Sequence, residues 1–497
     1  MDQNSDVEPA ASPEAGSIGR RAGRGLRWSL LGNLGTKVST FAMGLVLARL
    51  LAPEDFGLYA VALAATQFVM HVNDVGIIAA TVQWRGRLAD MAPTATVMAT
   101  VFSCVIYAIF WVIAPYYADL AGSPEATPVI RLLTSIILID GVTAVRSAAL
   151  LRDFAQDKLT MANMVGSLLN AALAIPLAMA GAGAFSFAWG QFANTAIIGV
   201  LVWFAAKLPN RVGFDREVAV KLLRFGAPLA LGLGIESVLM NADYVIIGDL
   251  LGPDAVGYYL LAFNVSNWVP GVIGTAIRYV SIAGFSRLAE QTSDVLSRGV
   301  QRSVPLLITG VTPIAVVMMT LAHPIITFLY GAEWAMSAGV LRFLAVLMTV
   351  RMLTALAFDI LTSMGVTRST VWLNLGWCVA LLPVLWVAVR LDGIRGAAMG
   401  HAVVAVLVAL PLAVWMLHRQ GVRLGPILPA MRRPLLGGVV VAAVTLPLAY
   451  LTRENSFVQL CVAGGLGMIA YALVVPPWAL LKQFGGRMGR LIPARTR

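Results

Sequence analysis

Between Lys158 and Lys207 the chain carries no charged side chain. That run constrains the fold more than any motif does, because a spanning helix needs about 20 consecutive apolar residues and this stretch supplies two of them. The glycine-rich turn from Met179 to Phe185 divides it. Similar stretches recur nearly end to end, and composition agrees: 59% of the 497 residues are hydrophobic and 12% charged, against roughly a quarter charged in ordinary soluble domains. The expected fold is all-α, a polytopic membrane protein.

Apolar stretches separated by polar breaks give about fourteen spans, starting near residues 28, 57, 93, 127, 159, 184, 221, 255, 303, 338, 369, 395, 432 and 456. Each crossing changes side, so the connections sort into two sets. One set gathers Arg20, Arg21, Arg24, Arg27, Arg85, Arg87, Arg152, Lys158, Lys207, Arg211, Arg216, Arg287, Arg298, Arg302, Arg368, Arg419, Arg423, Arg432, Arg433 and the basic C-terminus. The other holds Glu54, Asp55, Asp119, Glu125, Asp249, Asp254 and Glu333, with Arg390, Asp392, Arg395, Arg453 and Glu454 mixed among them. The positive-inside rule makes the basic set cytoplasmic. Both termini then lie inside, and the net charge of +11 needs no nucleic-acid partner, because the charges are scattered over short loops. The polar, acidic start reads as a disordered tail rather than a signal peptide. Cys104, Cys378 and Cys461 fall in apolar runs and suggest neither a disulfide framework nor a metal site.

"RLLAPEDFGLYA" at residues 49–60 returns as "DLLGPDAVGYYL" at residues 249–260, with Leu50, Leu51, Pro53, Gly57 and Tyr59 recurring in register. The copies join spans 1 and 2 and spans 7 and 8, with an even number of crossings between them. Two parallel halves follow, related by an axis along the membrane normal. The expected organisation is a tail (1–26), two six-helix halves (27–207 and 208–420), an appended helix pair (421–481) and a basic tail (482–497).

"LARLLAPEDFGLYA", "DYVIIGDLLGPDAVGYY" and "FSRL" at Phe285–Leu288 resemble the Wzx-type polysaccharide flippase family, of the superfamily that also holds lipid II flippases and MATE exporters. Where family members often carry a proline just before that serine, this chain has Ala283 and Gly284. The resemblance implies translocation of an undecaprenyl-pyrophosphate-linked oligosaccharide across the bacterial inner membrane for surface polysaccharide synthesis. It also implies a pathway that includes a polymerase and glycosyltransferases, and needs no cofactor.

Ionisable residues inside spans are costly and usually face an interior or a watery cavity. Here they concentrate in spans 1, 2 and 4 and in their equivalents 7, 8 and 10, while spans 9 and 12 carry only His323 and His401. Those six helices are therefore expected to line a central cavity; local ion pairs that merely join helices are the competing reading. Lys37, Arg146, Arg278 and Arg351 are the candidate cations for a pyrophosphate, by charge-assisted hydrogen bonds. Asp74, Asp140, Asp359, Glu236 and Asp243 are candidates for ion coupling. Glu236 and Asp243 fall on nearly one face of span 7, about 10 Å apart along the axis, and could bind a proton or sodium ion. Arg49 and Asp249, opposite in charge at equivalent positions, are candidates for a gate that closes the external mouth.

A membrane enzyme would be expected to place its catalytic residues on a sizeable external loop, and all the external connections are short. No G-x-x-x-x-G-K-[ST] occurs, which argues against a pump driven directly by ATP. A MATE-like drug exporter would favour an acidic cavity. A lipid II flippase is the other alternative.

Overall fold

A computed structural model describes residues 32, 34–73, 81, 87–153, 155–209, 211–268, 293–364 and 366–476. Among them there is no strand. The first half consists of α1 (34–50), α2 (Pro53–Asn73), α3 (Leu88–Leu120), α4 (Pro124–Arg152), α5 (Gln156–Met179) and α6 (Phe185–Ala205). The second consists of α7 (Arg216–Leu251), α8 (Pro253–Ser266), α9 (Ser293–Thr320), α10 (Met336–Ser363), α11 (Thr367–Val404) and α12 (Leu410–Arg419). A short helix, Ala322–Leu329, follows α9, and α13 (Ile427–Leu451) and α14 (Ser456–Val474) end the described chain. Ten helices among the described residues are long and apolar enough to cross a membrane.

Local chemistry sets the boundaries. Proline opens both α2 and α8, where its missing N–H is harmless. Gly252 ends α7 with φ of 83°, a conformation glycine adopts without a Cβ penalty. Asp215 caps α7 by accepting hydrogen bonds from the backbone N–H groups of Glu217 and Val218, which satisfies donors the helix itself leaves free. The apolar run Ser369–Arg419 spans 51 residues but folds back on itself. Asp392 and Gly393 leave helical geometry, and beyond the break a Cβ on Gly396 would overlap the Ala388 carbonyl oxygen, so the two limbs pack as a hairpin.

Helices in lipid gain little from the hydrophobic effect between them, so close packing and interhelical hydrogen bonds hold them. α13 and α14 attach to α9 in this way. The Tyr471 hydroxyl donates to the Thr309 carbonyl at 2.8 Å, and Thr445 donates to the Thr320 hydroxyl at 2.9 Å. The largest buried cluster runs through both halves, with Trp334, Tyr259, Leu47, Ile130 and Leu133 wholly enclosed.

Candidate functional site

The repeated motif packs against its own copy. Gly57 in α2 and Gly257 in α8 bring the two helices to backbone contact: a Cβ on Gly57 would overlap the Pro253 carbonyl, and one on Gly257 would overlap that of Pro53. The relation is reciprocal, as a two-fold axis between the halves requires. Only glycine allows this approach, and the consequence is a seal across the hairpin end of the bundle.

The expected pairing of Arg49 with Asp249 is absent from this structure, because the two helix ends dock on different turns. Each residue ends a helix that reaches past the axis to the opposite half. Arg49 donates to the Phe328 and Leu329 carbonyls, both at 3.2 Å, and the Trp334 indole donates to the Ala48 carbonyl at 2.9 Å. Asp249 follows Gly248, which rests on the turn after α3: a Cβ on Gly122 would overlap the Gly248 carbonyl oxygen and lie 3.1 Å from the Asp249 Cα.

Beneath the seal a cavity of about 280 Å³ opens between α1, α2 and α8. Lys37 borders it with Thr40, Asn264 and Asn267, and aromatic rings supply its walls. Trp268 lies 4.2 Å from Phe41, and Tyr59 stacks on Phe187 at 4.4 Å. Lys37 precedes Arg49 by twelve residues, about 18 Å of helix, so its ammonium enters well below the seal. Amides, a cation and aromatic faces are groups that can meet a phosphate and sugar hydroxyls. A second cleft, about 530 Å³ and almost wholly apolar, lies between α2, α3 and α7, lined by Phe68, Ile109, Ile113, Val238 and Asn241 among others.

The other expected site residues turn into the separate halves. Arg146 is only 5% exposed, its guanidinium 3.8 Å over the Trp203 ring and donating to the Leu208 carbonyl at 3.5 Å. It is packed within the first half, and so does not border the cavity. Asp140 accepts from the Asn73 amide at 3.5 Å, and Ser103 donates to Asn73 Oδ1 at 2.8 Å, which ties α2, α3 and α4 together. Asp359 is buried on α10. Asp74 and Arg278 lie outside the described residues, as does the side chain of Glu236 on α7.

Asp243 occupies the most unusual surroundings. Its Oδ2 faces His401 Nδ1 of α11 at 3.8 Å, with both side chains almost wholly buried. Oδ1 accepts from the Tyr244 N–H at 3.2 Å. Arg351 of α10 acts on this group from nearby and holds its guanidinium 5.8 Å from the Phe263 ring. The Tyr259 hydroxyl lies beside the Asp243 carboxylate, while the Trp377 indole N–H and both His401 nitrogens are buried with no hydrogen-bond partner. Each such group costs roughly 1 to 3 kcal/mol, and polar groups kept inside a span at that cost are candidates for function. Sequence reasoning reached Asp243 and Arg351 but passed over His401, because nothing in the spacing of α7 and α11 announces their pairing.

A family model described as "Polysaccharide biosynthesis protein" matches residues 46–339. The chain is 25% identical to the succinoglycan biosynthesis transport protein ExoT of Rhizobium meliloti over 65% of each chain, just under two thirds of that relative's length. It is 21% identical to the lipopolysaccharide biosynthesis protein WzxC of Escherichia coli over 77% of this chain and 78% of the relative. Similarity to the teichuronic acid biosynthesis protein TuaB of Bacillus subtilis, at 20% identity, covers 96% of this chain and 99% of the relative. In fold, the chain resembles the lipid II flippase MurJ with a TM-score of 0.73 at 12% identity, over 93% of this chain and all of that one. A MATE family multidrug transporter gives a TM-score of 0.62 at 16% identity, over 79% of this chain and 98% of that one.

Proposed function

Because the chain belongs to the polysaccharide biosynthesis protein family, we propose that it is a flippase for polyprenyl-pyrophosphate-linked oligosaccharides. It moves them from the cytoplasmic to the periplasmic leaflet of the inner membrane, with both of its own termini cytoplasmic. The observation that supports this reading best is the cavity beneath the hairpin seal, where Lys37 enters among Asn264, Asn267 and aromatic rings. A cation suits the pyrophosphate, amides suit sugar hydroxyls, and the lipid chain stays in the bilayer while the headgroup crosses by alternating access.

The buried Asp243–His401 pair is the proposed coupling element. A carboxyl and an imidazole at 3.8 Å, both almost wholly buried, can take up and release a proton as the second half changes shape. Catalysis is not part of the proposal, and polymerase and glycosyltransferases act before and after it as separate proteins. Deletion of the gene tests the reading. Lipid-linked repeat units are expected to accumulate on the cytoplasmic leaflet and the surface glycan to disappear; intact glycan together with drug sensitivity would favour the MATE-like exporter instead.

A further inference from the structure

The two contacts that close the hairpin end are equivalent in position and unequal in chemistry. At the α1 end, the short helix Ala322–Leu329 leaves its last carbonyls, Phe328 and Leu329, to be capped by Arg49 from the opposite half. A helix C-terminus carries about half a negative charge, and a cation is the complementary partner. Trp334 adds the hydrogen bond to Ala48 and edge contacts to Phe56 at 4.8 Å and Tyr258 at 5.8 Å, so one side chain joins both hairpins.

At the α7 end the carbonyls of α3 are satisfied by its own turn. Ala121, Gly122 and Ser123 donate to Tyr117, Asp119 and Ala118, at 3.0, 3.0 and 2.9 Å. Among the described residues no side-chain hydrogen bond crosses there; the contact is Gly122 and Ala121 against Gly248, backbone on backbone. The charge that ends α7 is Asp249, an anion beside the negative end of α3, where it is disfavoured.

We infer that the hairpin end is a one-sided gate, with Arg49 and Trp334 as its hinge and the Gly122–Gly248 contact as the edge that parts. Tyr117 and Val245 line the apolar cleft just beneath that edge, so opening occurs on the side of α2, α3 and α7. This rests on the flippase reading, and supplies the side from which lipid-linked cargo leaves.

Ala48 and Ala121 are 2% and 0% exposed and serve as paired reporters, one at the hinge and one at the edge. Ala48→Cys and Ala121→Cys proteins would be treated with a membrane-impermeant maleimide, in cells making the glycan and in cells blocked in lipid-linked precursor synthesis. Labelling at 121 is expected to rise at least about fivefold when substrate is supplied, while labelling at 48 changes less than about twofold. Ser123→Cys, also 2% exposed, reports the same edge if Ala121→Cys fails to accumulate. Equal labelling at both ends, labelling at the hinge alone, or none at either while glycan is still made would overturn the one-sided gate. Glycan made without the protein would overturn the flippase reading instead.

Discussion

Gly57 and Gly257 meet across the seal, each leaving open the space that a methyl group would take from the first carbonyl of the other's helix. Gly57→Ala and Gly257→Ala should therefore each force α2 and α8 apart. Overpacking of this kind costs about 1 to 3 kcal/mol, and because the backbone carbonyl cannot rotate away, the strain falls on the seal. The expected outcome is a protein that inserts at normal levels but complements a deletion poorly, with more maleimide reaching the hairpin end. Gly310→Ala, where nothing lies within 4 Å of the new methyl, is the matched control. Wild-type activity in both seal variants would show that the halves tolerate separation there.

Arg49→Ala removes a cap on the short helix Ala322–Leu329, worth about 0.3 to 1 kcal/mol at such a helix end. Arg49→Lys should retain part of that. The double exchange of Arg49→Asp with Asp249→Arg should not restore function, since the Arg49 side chain bonds to one turn and the backbone at Asp249 rests on another. Recovery in the exchanged protein, measured as surface glycan, would mean that the residues meet in another state of the cycle.

Asp243→Asn and His401→Leu should each abolish gradient-driven transport in vesicles while leaving substrate binding measurable. Removing one member leaves the other's buried polar atoms without the group they face, at a cost of about 1 to 3 kcal/mol. The double variant should consequently be more stable than the sum of the single changes by about 0.5 to 3 kcal/mol. Transport indifferent to both proton and sodium gradients in the unmodified protein would remove the pair from coupling.

Lys37→Ala should lose complementation, and Lys37→Arg should retain a part of it, since both supply a cation to the cavity but with different geometry. Arg351→Ala should also fail, through the Asp243 group it acts on. The distinguishing measurement is binding of the pyrophosphate-linked lipid to purified protein, which Lys37→Ala should weaken and Arg351→Ala should leave largely intact. The reverse pattern would place the headgroup at Arg351.

The helices were legible because lipid demands runs of about 20 apolar residues, and the duplication because turn residues kept their spacing. Which residue touches which was not, and Arg49 shows why. The equivalence of positions 49 and 249 suggested that they meet, yet the axis brings each to a turn of the opposite half. A fainter echo was available: Leu120 and Gly122 with Glu125 and Arg131 return as Leu329 and Gly331 with Glu333 and Arg342, two residues out of register by the end. It marks both turns as parts of the repeat. A charge within a span shows only that it avoids lipid. It cannot tell Lys37, which enters the cavity, from Arg146, which lies under Trp203.

Contact of Gly57 with Pro53's counterpart, mirrored by Gly257 with Pro53 itself, is the geometry of an isologous interface, in which one surface patch recognises its own copy. Two identical subunits would make the same joint without any linker. The connection between α6 and α7 then acts chiefly as a tether that raises local concentration. Severed there and expressed as two polypeptides, the halves should still find one another in the membrane.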